Sequence, residues 1–290
     1  MTTPDSHDAL AHLLGLFDLA PSQPDGYIGQ SLDLGFRNLF GGHILGQSLM
    51  AAGLTCGDRR AHSLHAYFLR GGDAQHPVHY QVDRIRDGGS FSVRRVTASQ
   101  HGKTILILST SFQADEPGFE HQLAMPDVPP PDGLPTFESL TRPRPDIADS
   151  DRTITRARAI DIRLVPRAAL HGNEADGPSQ CLWLRAAGPV PDSVALHRSL
   201  LAYASDFALL STAMLPHGVG YYTPGMVMAS LDHAMWFYGD LRIDEWLLYA
   251  MDSPAAASAR GLARGNIFRR DGTLVACVAQ EGLMRMTGKS

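Results

Sequence analysis

The 290-residue chain has only three cysteines, and none lies near another in the sequence. Cys56, Cys181 and Cys277 lack the short spacing of metal-binding pairs, and an odd number does not favour a disulfide framework. We therefore expect a reducing compartment. No stretch approaches the roughly 18 apolar residues of a membrane span, and the start MTTPDSHDALAHLL lacks the pattern of a signal peptide. These absences predict a cytoplasmic protein without a membrane partner.

Several motifs of known chemistry are also missing. The sequence has no GxSxG segment, which argues against an α/β-hydrolase, and no GxGxxG or Walker loop for a nucleotide. Its thirteen histidines are scattered without an HExxH pair, so no metal site is predicted. The net charge of −5 argues against a nucleic-acid partner, although a few local arginines could still hold a small polyanion.

The sequence does contain a repeated order of helices and strands. The first half has helical apolar periods at 6–19 and in FGGHILGQSLMAAGLT, followed by four strand-like segments with Gly-rich turns up to Gln113. After a proline-rich stretch, the second half gives two strands, a long helix over 193–215, and four more strands. Two copies of one order indicate an internal duplication.

The repeat predicts an α+β fold in which each half is a long helix wrapped by a curved antiparallel sheet. Such a unit is a hot dog, and two units in one chain form a double hot dog. We predict an N-terminal unit at 1–113 and a C-terminal unit at 153–290. Between them, residues 114–152 are rich in proline and predict an extended linker that is not a packed element.

Three polar residues of the second half stand beside or within apolar patterns. Asp206 lies next to the apolar face of the predicted helix, between Tyr203 and Leu210. Gln280 interrupts an apolar strand, where an unpartnered amide would cost about 1–3 kcal/mol, and Ser230 begins another strand. A carboxylate, a hydroxyl and an amide could position and activate one water. Each also has an ordinary interpretation as a side chain bonded to a neighbouring strand, backbone group or arginine.

Other polar side chains are less specific. His62 and His65 lie three apart on one strand and must point to opposite faces, so at most one faces the interior. For the same reason His233 is a weak candidate for a serine triad with Ser230 and Asp206. Most strand arginines are expected in solvent, although a few could hold phosphates through bidentate contacts.

Eight segments occur in the order LFGGHILGQSLMAA, HSLHAYFLRGGD, RDGGSFSVRRVTASQHGK, SFQ, YASDFALL, SLDHAMWF, EWLLYAMDSPAAASARG and DGTLVACVAQEG. On these segments the chain resembles the acyl-CoA thioesterase II, or TesB, family, from about residue 10 to the C-terminus. The resemblance implies a double hot-dog fold and hydrolysis of fatty acyl-CoA to free CoA and a carboxylic acid by direct attack of water. It also implies no metal or organic cofactor, with acyl-CoA as the partner.

The resemblance also implies roles for individual residues. The family's catalytic Asp, in its YASD segment, corresponds to Asp206, and its catalytic Gln, in its QEG segment, corresponds to Gln280. Its hydroxyl residue, two positions before the DH pair, corresponds to Ser230. The family's FGG segment usually continues with Gln, but here it continues with His43, which puts a polar role at that position in doubt. The positions assigned to substrate binding are Gly41, Gly42, His43, His65, Arg94, Arg95 and Arg264.

We expect one active site per chain. Aligned on the glycine turns, Thr110 falls opposite Gln280, and no Asp in the helix at 42–54 matches Asp206. Exposed sheet edges and the resemblance predict a homo-oligomer, a dimer or a tetramer. Two alternatives stay open. One is a non-catalytic acyl-CoA-binding or sensing module. The other is a hot-dog enoyl-CoA hydratase, whose Asp-x-Asn-Pro-x-His type of segment the sequence lacks.

Overall fold

The computed structural model of the chain describes residues 6–136, 159–170, 177–221 and 223–287. Within these ranges no helix is both long enough and apolar enough to cross a membrane. The α-helices of the described ranges are α1 (Ser6–Leu16), α2 (Gly41–Gly53), α3 (Val194–Ser205) and α4 (Leu209–Thr212). Single 3₁₀ turns occur at Arg167–Ala169 and Leu215–His217.

The strands of this part of the chain form one antiparallel sheet. Its order is β1-β2-β4-β5-β6-β3-β10-β13-β12-β11-β8-β7, and β9 pairs with β13 as a side branch. The strands are β1 (Ala20–Gln23), β2 (Gly26–Gly29), β3 (Arg60–Phe68), β4 (Val78–Asp87), β5 (Phe91–Gln100), β6 (Lys103–Gln113), β7 (Ile160–Leu164), β8 (Ser179–Ala186), β9 (Met226–Ser230), β10 (Asp232–Phe237), β11 (Leu247–Ala257), β12 (Arg260–Arg269) and β13 (Leu274–Met286).

The strand order is symmetrical about the pair β3 and β10. On either side the sequence of neighbours repeats: β6, β5 and β4 on one side, and β13, β12 and β11 on the other. Leu64 pairs with Met235, and Ala66 pairs with His233. A two-fold axis between β3 and β10 relates Leu64 to His233 and Ala66 to Met235. The rotation therefore converts the first pair into the second, as expected if the two strands are equivalent. The register lets residues of the two halves be matched one to one, as an internal duplication requires.

A pair of matched tyrosines shows how each sheet is fixed to its helix. Tyr80 on β4 and Tyr249 on β11 occupy equivalent positions, and both are fully buried. The Tyr80 hydroxyl donates to Gln47 Oε1 on α2 at 2.6 Å, and the Tyr249 hydroxyl donates to Ser205 O on α3 at 3.0 Å. A buried phenol needs such a partner. Each half thus uses the same residue to tie its helix to its strands.

Helices α2 and α3 pack side by side in opposite directions. Gly42 lies against the carbonyl of Tyr203, and Gly46, one turn later, lies against the carbonyl of Ser199. A Cβ at either glycine would collide with these carbonyls. The two glycines therefore permit a close approach of the backbones, which brings the start of α2 to the end of α3.

The helix predicted over 193–215 is interrupted. It ends at Ser205, and Asp206 is its C-terminal capping residue, not a residue of its middle. Ala208 has a left-handed backbone with φ of 64°, which an α-helix cannot continue. The apolar period continues across this break because α4 follows immediately. A single alanine in the left-handed conformation does not interrupt the apolar period of the sequence, so the period did not indicate the break.

The described part of the predicted linker, residues 114–136, is extended but packed. Val128 and Leu134 pack against a buried apolar cluster that includes Trp183 of β8. The indole Nε1 of Trp183 donates to Pro129 O at 2.9 Å. This segment therefore covers strands of the second half, in contrast to the expectation of an unpacked linker. Its remainder, 137–152, lies outside the described residues.

Candidate active site

Asp206, Ser230 and Gln280 meet at the end of α3. Gln280 Nε2 donates one hydrogen bond to Asp206 Oδ1 and another to Ser230 Oγ, each at 2.8 Å. Three side chains that are far apart in the sequence thus form one cluster, in which the amide joins the carboxylate to the hydroxyl.

The sheet places the hydroxyl and the amide on the same side. Ser230 ends β9 and pairs with Gly282 of β13. Gln280 lies two residues before Gly282 on the same strand and pairs with Ala263 of β12. Residues two apart on a strand share a face, so Ser230 and Gln280 both point towards the helices. Because α3 ends at Ser205, the side chain of Asp206 reaches the amide of Gln280 from the helix side of the sheet.

The second oxygen of the carboxylate is held by the start of α2. Gly42 N donates to Asp206 Oδ2 at 2.8 Å. A Cβ at Gly41 would lie 2.9 Å from the same oxygen, so glycine is the residue that fits there. A helix N-terminus favours negative charge. The predicted substrate-binding glycines are therefore in the site, where they contact the carboxylate.

Burial sets the proton affinity of this carboxylate. Asp206 is only 8% exposed, and Phe207, the next residue in the chain, stacks on Phe40 with ring centroids 4.5 Å apart. Burial raises the pKa of Asp206, while the hydrogen bonds from Gln280 and Gly42 oppose this by a smaller amount. A raised pKa suits a carboxylate that must accept a proton during a reaction.

Asp206 and Ser230 open onto a pocket of about 540 Å³. Its wall is mostly apolar, and Arg37 and Arg70 also line it. Gln280 is fully buried behind the carboxylate and the hydroxyl. Its Oε1 has no hydrogen-bond partner among the residues that the structure describes. A smaller pocket of about 110 Å³ reaches Asp206 from another side, lined by Phe36, Phe40, Ile162, Leu164, Phe207, Ala208 and their neighbours.

Three of the predicted substrate-binding side chains lie on the outer surface of the sheet. The ring of His65 packs against Trp236 with centroids 5.3 Å apart. Arg95 and Arg264 are exposed and form ion pairs with aspartates on the adjacent strands, Asp83 and Asp252, at 2.9 and 2.7 Å. The two-residue alternation of a strand turns these side chains away from the helices, and none of the three lines the 540 Å³ pocket.

Arg94 points inward, but into the first half. It is 1% exposed and donates to Thr55 Oγ1 at 2.8 Å and to Asp87 Oδ1 at 2.7 Å. Thr55 follows the end of α2, so the guanidinium fastens that helix end to β5. Arg94 therefore serves the fold of the first half and does not line the pocket.

The two histidines closest in sequence to the site are also buried. His43 Nε2 lies 3.0 Å from Gln30 O, and burial lowers the pKa of His43 to about 4, so the ring is neutral at pH 7. His233 Nε2 lies 3.0 Å from Ser205 Oγ, and burial lowers the pKa of His233 to about 3. His233 thus contacts the end of α3 and does not form a triad with Ser230.

Arg37 and Arg70 are cationic residues of the larger pocket that the sequence analysis missed. Both are exposed, and Arg70 Nη1 donates to Thr104 O at 2.7 Å. They lie in loops, where no periodic pattern indicates which way a side chain points. The one available signal was the position of Arg70 directly before Gly71 and Gly72, within a segment that carries the family resemblance.

Solved structures establish the class of the fold. A protein of unknown function with a hot dog fold from Alicyclobacillus acidocaldarius aligns with 96% of this chain and 99% of its own length, at a TM-score of 0.75 and 19% identity. Identity at that level shows the fold alone. The predicted double hot-dog fold is therefore confirmed, and the polar cluster lies in a protein of the hot-dog class.

Sequence relatives identify the family. A family model described as acyl-CoA thioesterase matches residues 150–283, and a model of the acyl-CoA thioesterase N-terminal domain matches 32–113. Acyl-coenzyme A thioesterase 8 of Mus musculus is 44% identical over 261 residues, 86% of this chain and 81% of the relative. The crystal structure of acyl-CoA thioesterase II TesB2 from Mycobacterium marinum is 42% identical, with a TM-score of 0.82 over 95% of this chain and 99% of that one. The chain therefore belongs to the acyl-CoA thioesterase family, and it is a thioester hydrolase.

Proposed function

We propose that this thioesterase hydrolyses fatty acyl-CoA by direct attack of a water held by Asp206 and Ser230 and positioned through Gln280. One observation carries the proposal: the Gln280 amide donates to both the carboxylate and the hydroxyl, at 2.8 Å each. A structural glutamine on a strand needs only local partners. An amide that spans two reactive groups from other elements, beside a pocket, is typical of a site that must be held in one geometry.

The hydrogen-bond capacity of the cluster fits a bound water. Each oxygen of Asp206 accepts one bond in the structure, from Gln280 or from Gly42 N, and can accept a second. Ser230 Oγ accepts from Gln280 and keeps its own O–H to donate. A water between Asp206 and Ser230 would donate to the carboxylate and accept from the hydroxyl. Gln280 has both amide protons engaged, so it is a positioning residue.

The reaction then balances without a covalent enzyme intermediate. Asp206 takes a proton from the water as its oxygen bonds to the thioester carbonyl carbon. The carbonyl oxygen becomes an oxyanion, for which we assign the Gly41 N–H, at the start of α2 and in the pocket wall, as a donor. The C–S bond breaks, the CoA thiolate leaves and takes the proton, and a carboxylic acid remains.

The two pockets divide the substrate between them. Arg37 and Arg70 in the wall of the larger pocket supply cationic groups for the phosphates of CoA. The smaller pocket, with Ile162, Leu164 and Phe207, offers apolar space for the acyl chain on the other side of Asp206. Each methylene buried there contributes about 0.8 kcal/mol.

The test is thiol release from a panel of acyl-CoAs, short to long, branched and aromatic, with wild type, Asp206→Asn and Asp232→Asn. Asp232 is a matched control because burial raises the pKa of its carboxylate as well, but it accepts from Glu281 N at 2.7 Å, outside the cluster. We expect release by wild type and Asp232→Asn and almost none by Asp206→Asn. Equal release by all three proteins would sink the assignment of Asp206.

The alternative function is a binding module, which would hold acyl-CoA without hydrolysis. Saturable binding with no release of CoA from any substrate of the panel would favour it. The retained polar cluster and the raised pKa of Asp206, caused by its burial, support hydrolysis instead.

The two family matches, at 32–113 and 150–283, support the proposed division into units at 1–113 and 153–290.

We further propose a homo-oligomer, a dimer or a tetramer. Tyr67 and Ile107 are large exposed side chains on paired strands at the centre of the outer face, which a second copy could cover. Sedimentation of the chain as a monomer at micromolar concentration would contradict this proposal.

A cytoplasmic location stays a prediction. Its supporting observation is that the thiols of Cys56 and Cys277 are only half-buried, and an oxidising compartment would leave such groups open to oxidation. Fractionation of cells that carry the tagged chain would test it, and recovery of the chain in an oxidising compartment would contradict it.

A further inference from the structure

Asp73, His76 and His101 converge on one oxygen at the edge of the first half. His76 Nδ1 lies 2.7 Å and His101 Nε2 lies 3.3 Å from Asp73 Oδ2. The two imidazole rings are 4.5 Å apart, and one potential ligand atom from each residue lies within 4.8 Å of the others. The three side chains come from two separate loops, and each is half-exposed, so an ion can reach them from solvent.

The backbone around this cluster is held in place by a buried side chain. Gln100 is only 3% exposed, and its Oε1 accepts from Asp73 N at 2.7 Å. Its Nε2 donates to Asp73 O and His76 O, both at 2.8 Å. Because Gln100 precedes His101, this amide fixes the loop at 73–76 relative to the turn that carries His101. The positions of the three ligands are therefore set by the fold.

The turn itself directs the third ligand. His101 has a left-handed backbone with φ of 49°, and Gly102 follows with φ of 70°. A non-glycine residue adopts this conformation infrequently. Here the left-handed conformation closes the turn between β5 and β6 and places the Nε2 of His101 near the Asp73 carboxylate.

We propose that Asp73, His76 and His101 form a binding site for Zn²⁺ or a similar divalent transition metal, distinct from the hydrolytic cluster. Two imidazole nitrogens and one carboxylate oxygen form a ligand set that zinc uses, with water in the fourth position. To bind the ion, each imidazole would offer the lone pair of the ring nitrogen that now faces Asp73 and would carry a proton only on its other ring nitrogen. The Asp73 carboxylate would exchange two N–H contacts for one metal bond.

The place of the site in the fold suggests what the ion would do. Leu69, Arg70, Gly71 and Gly72 line the 540 Å³ pocket, and Asp73 follows them directly. Gly72 O accepts from Leu39 N at 2.8 Å, which joins this wall to the segment before α2. A metal held by Asp73, His76 and His101 would tie the β5–β6 turn to the pocket wall. Its role would be to fix that wall and not to activate water.

The test is calorimetric titration of the full chain with Zn²⁺, after treatment with a chelator. The variants are His76→Gln, His101→Asn and, as a matched control, His79→Gln, an exposed histidine of neighbouring β4. Asn tolerates a left-handed backbone, so His101→Asn should keep the turn. We expect one Zn²⁺ per wild-type chain and per control chain, and binding weakened roughly tenfold or more in each of the other variants.

A second readout is the melting temperature. Zn²⁺ should raise the Tm of wild type and of His79→Gln by mass action, and should leave the Tm of the double variant H76Q/H101N unchanged. Absence of stoichiometric binding to wild type, or equal binding by the double variant, would overturn the site. Hydrolysis measured in the presence of chelator reports on the proposed active site separately, so the two proposals can fail independently.

Discussion

The two halves of the molecule share one arrangement of strands and helix but differ at the positions of Asp206, Ser230 and Gln280. Leu54 caps the C-terminus of α2 as Asp206 caps the C-terminus of α3. Leu54 is half-exposed, whereas the Asp206 carboxylate is buried and bonded to Gly42 N. At equivalent helix ends, one half thus presents an apolar side chain to solvent, and the other presents a carboxylate to a pocket.

The strands show the same contrast. Ala61 pairs with Phe112 as Ser230 pairs with Gly282, so an alanine matches the hydroxyl residue. Thr110 stands two residues before Phe112, as Gln280 stands two before Gly282. Thr110 therefore matches Gln280, as the glycine turns predict. Its hydroxyl donates to Ser63 O at 2.9 Å, within its own sheet.

The space next to Thr110 is also filled differently. Thr110 pairs with Arg94, while Gln280 pairs with Ala263. The buried Arg94 guanidinium donates to Thr55 Oγ1 and so fills the space beside Thr110 in the first half. The small Ala263 leaves the second half room for its polar cluster. Both halves therefore keep the same arrangement of strands and helix, and only the second half holds the cluster of Asp206, Ser230 and Gln280.

The largest expected effect is that of Asp206→Asn. An amide cannot take the proton of the attacking water, so kcat/KM should fall about a thousandfold. The fold should survive, because the introduced amide can accept from Gly42 N and donate to Gln280 Oε1 after that side chain rotates. Leu54→Asn is the matched change in the first half and should leave kcat/KM unaltered. Thiol release and Tm measure both variants, and comparable losses in both would break the comparison.

Gln280→Leu should lower kcat about a hundredfold with little change in KM. The variant removes the bonds that hold the carboxylate and the hydroxyl in one geometry, and misplacement of reacting groups costs about this much. Thr110→Val is its counterpart and should turn over substrate at the wild-type rate. A Gln280→Leu enzyme with wild-type kcat would show that the amide has only a structural role.

The pH profile sharpens the same comparison. Asp206 must be ionised to accept a proton, and burial raises its pKa above the ordinary 3.8. The kcat/KM of wild type should therefore fall on acidification through a limb that lies above pH 3.8. Gln280→Glu would add a carboxylate where the amide now lies 2.8 Å from Asp206. Two such carboxylates resist joint ionisation, so the limb should move to higher pH. An unmoved limb would mean that the titrating group is not Asp206.

Ser230→Ala should lower kcat/KM about tenfold, which corresponds to loss of one hydrogen bond in the transition state. Ser230→Thr keeps a hydroxyl at the same carbon and should restore most of the rate. Ala61→Ser, the reverse change at the matched position, should leave kcat/KM unchanged. Steady-state kinetics of the three variants provide the measurement, and a failure of threonine to rescue would show that side-chain volume, not the hydroxyl, matters at position 230.

The frame was predictable from the sequence because it depends on periods and turns. The α2 segment, the strands around the Gly-rich turns and the match of Thr110 to Gln280 all follow from such patterns. The end of α3 was not predictable, since the apolar period runs on through the left-handed Ala208. As a result, the sequence identifies Asp206 as a candidate but places it on the side of a helix and not at its end.

The side chains that line the larger pocket were the least predictable part. His65, Arg95 and Arg264 lie on strands whose inner and outer faces are decided by register with their neighbours, and that register is a property of the whole sheet. Arg37 and Arg70 reach the pocket from loops, which carry no period. The ligands of the proposed metal site leave no sequence signal for a similar reason, since His101 lies near the loop at 73–76 only because β4 pairs with β5, with His79 opposite Ser99.

The smallest expected effect is on stability in the first half. Thr110→Val keeps the shape of the side chain but removes the hydroxyl that donates to Ser63 O, and Thr110 is only 2% exposed. The change should lower the free energy of unfolding by about 1 kcal/mol, because the buried carbonyl loses one partner. Urea unfolding of wild type and variant would measure it, with thiol release as the control. If Thr110→Val instead lowered turnover by tenfold at unchanged stability, the first half would take part in hydrolysis, and the contrast between the halves would have to be abandoned.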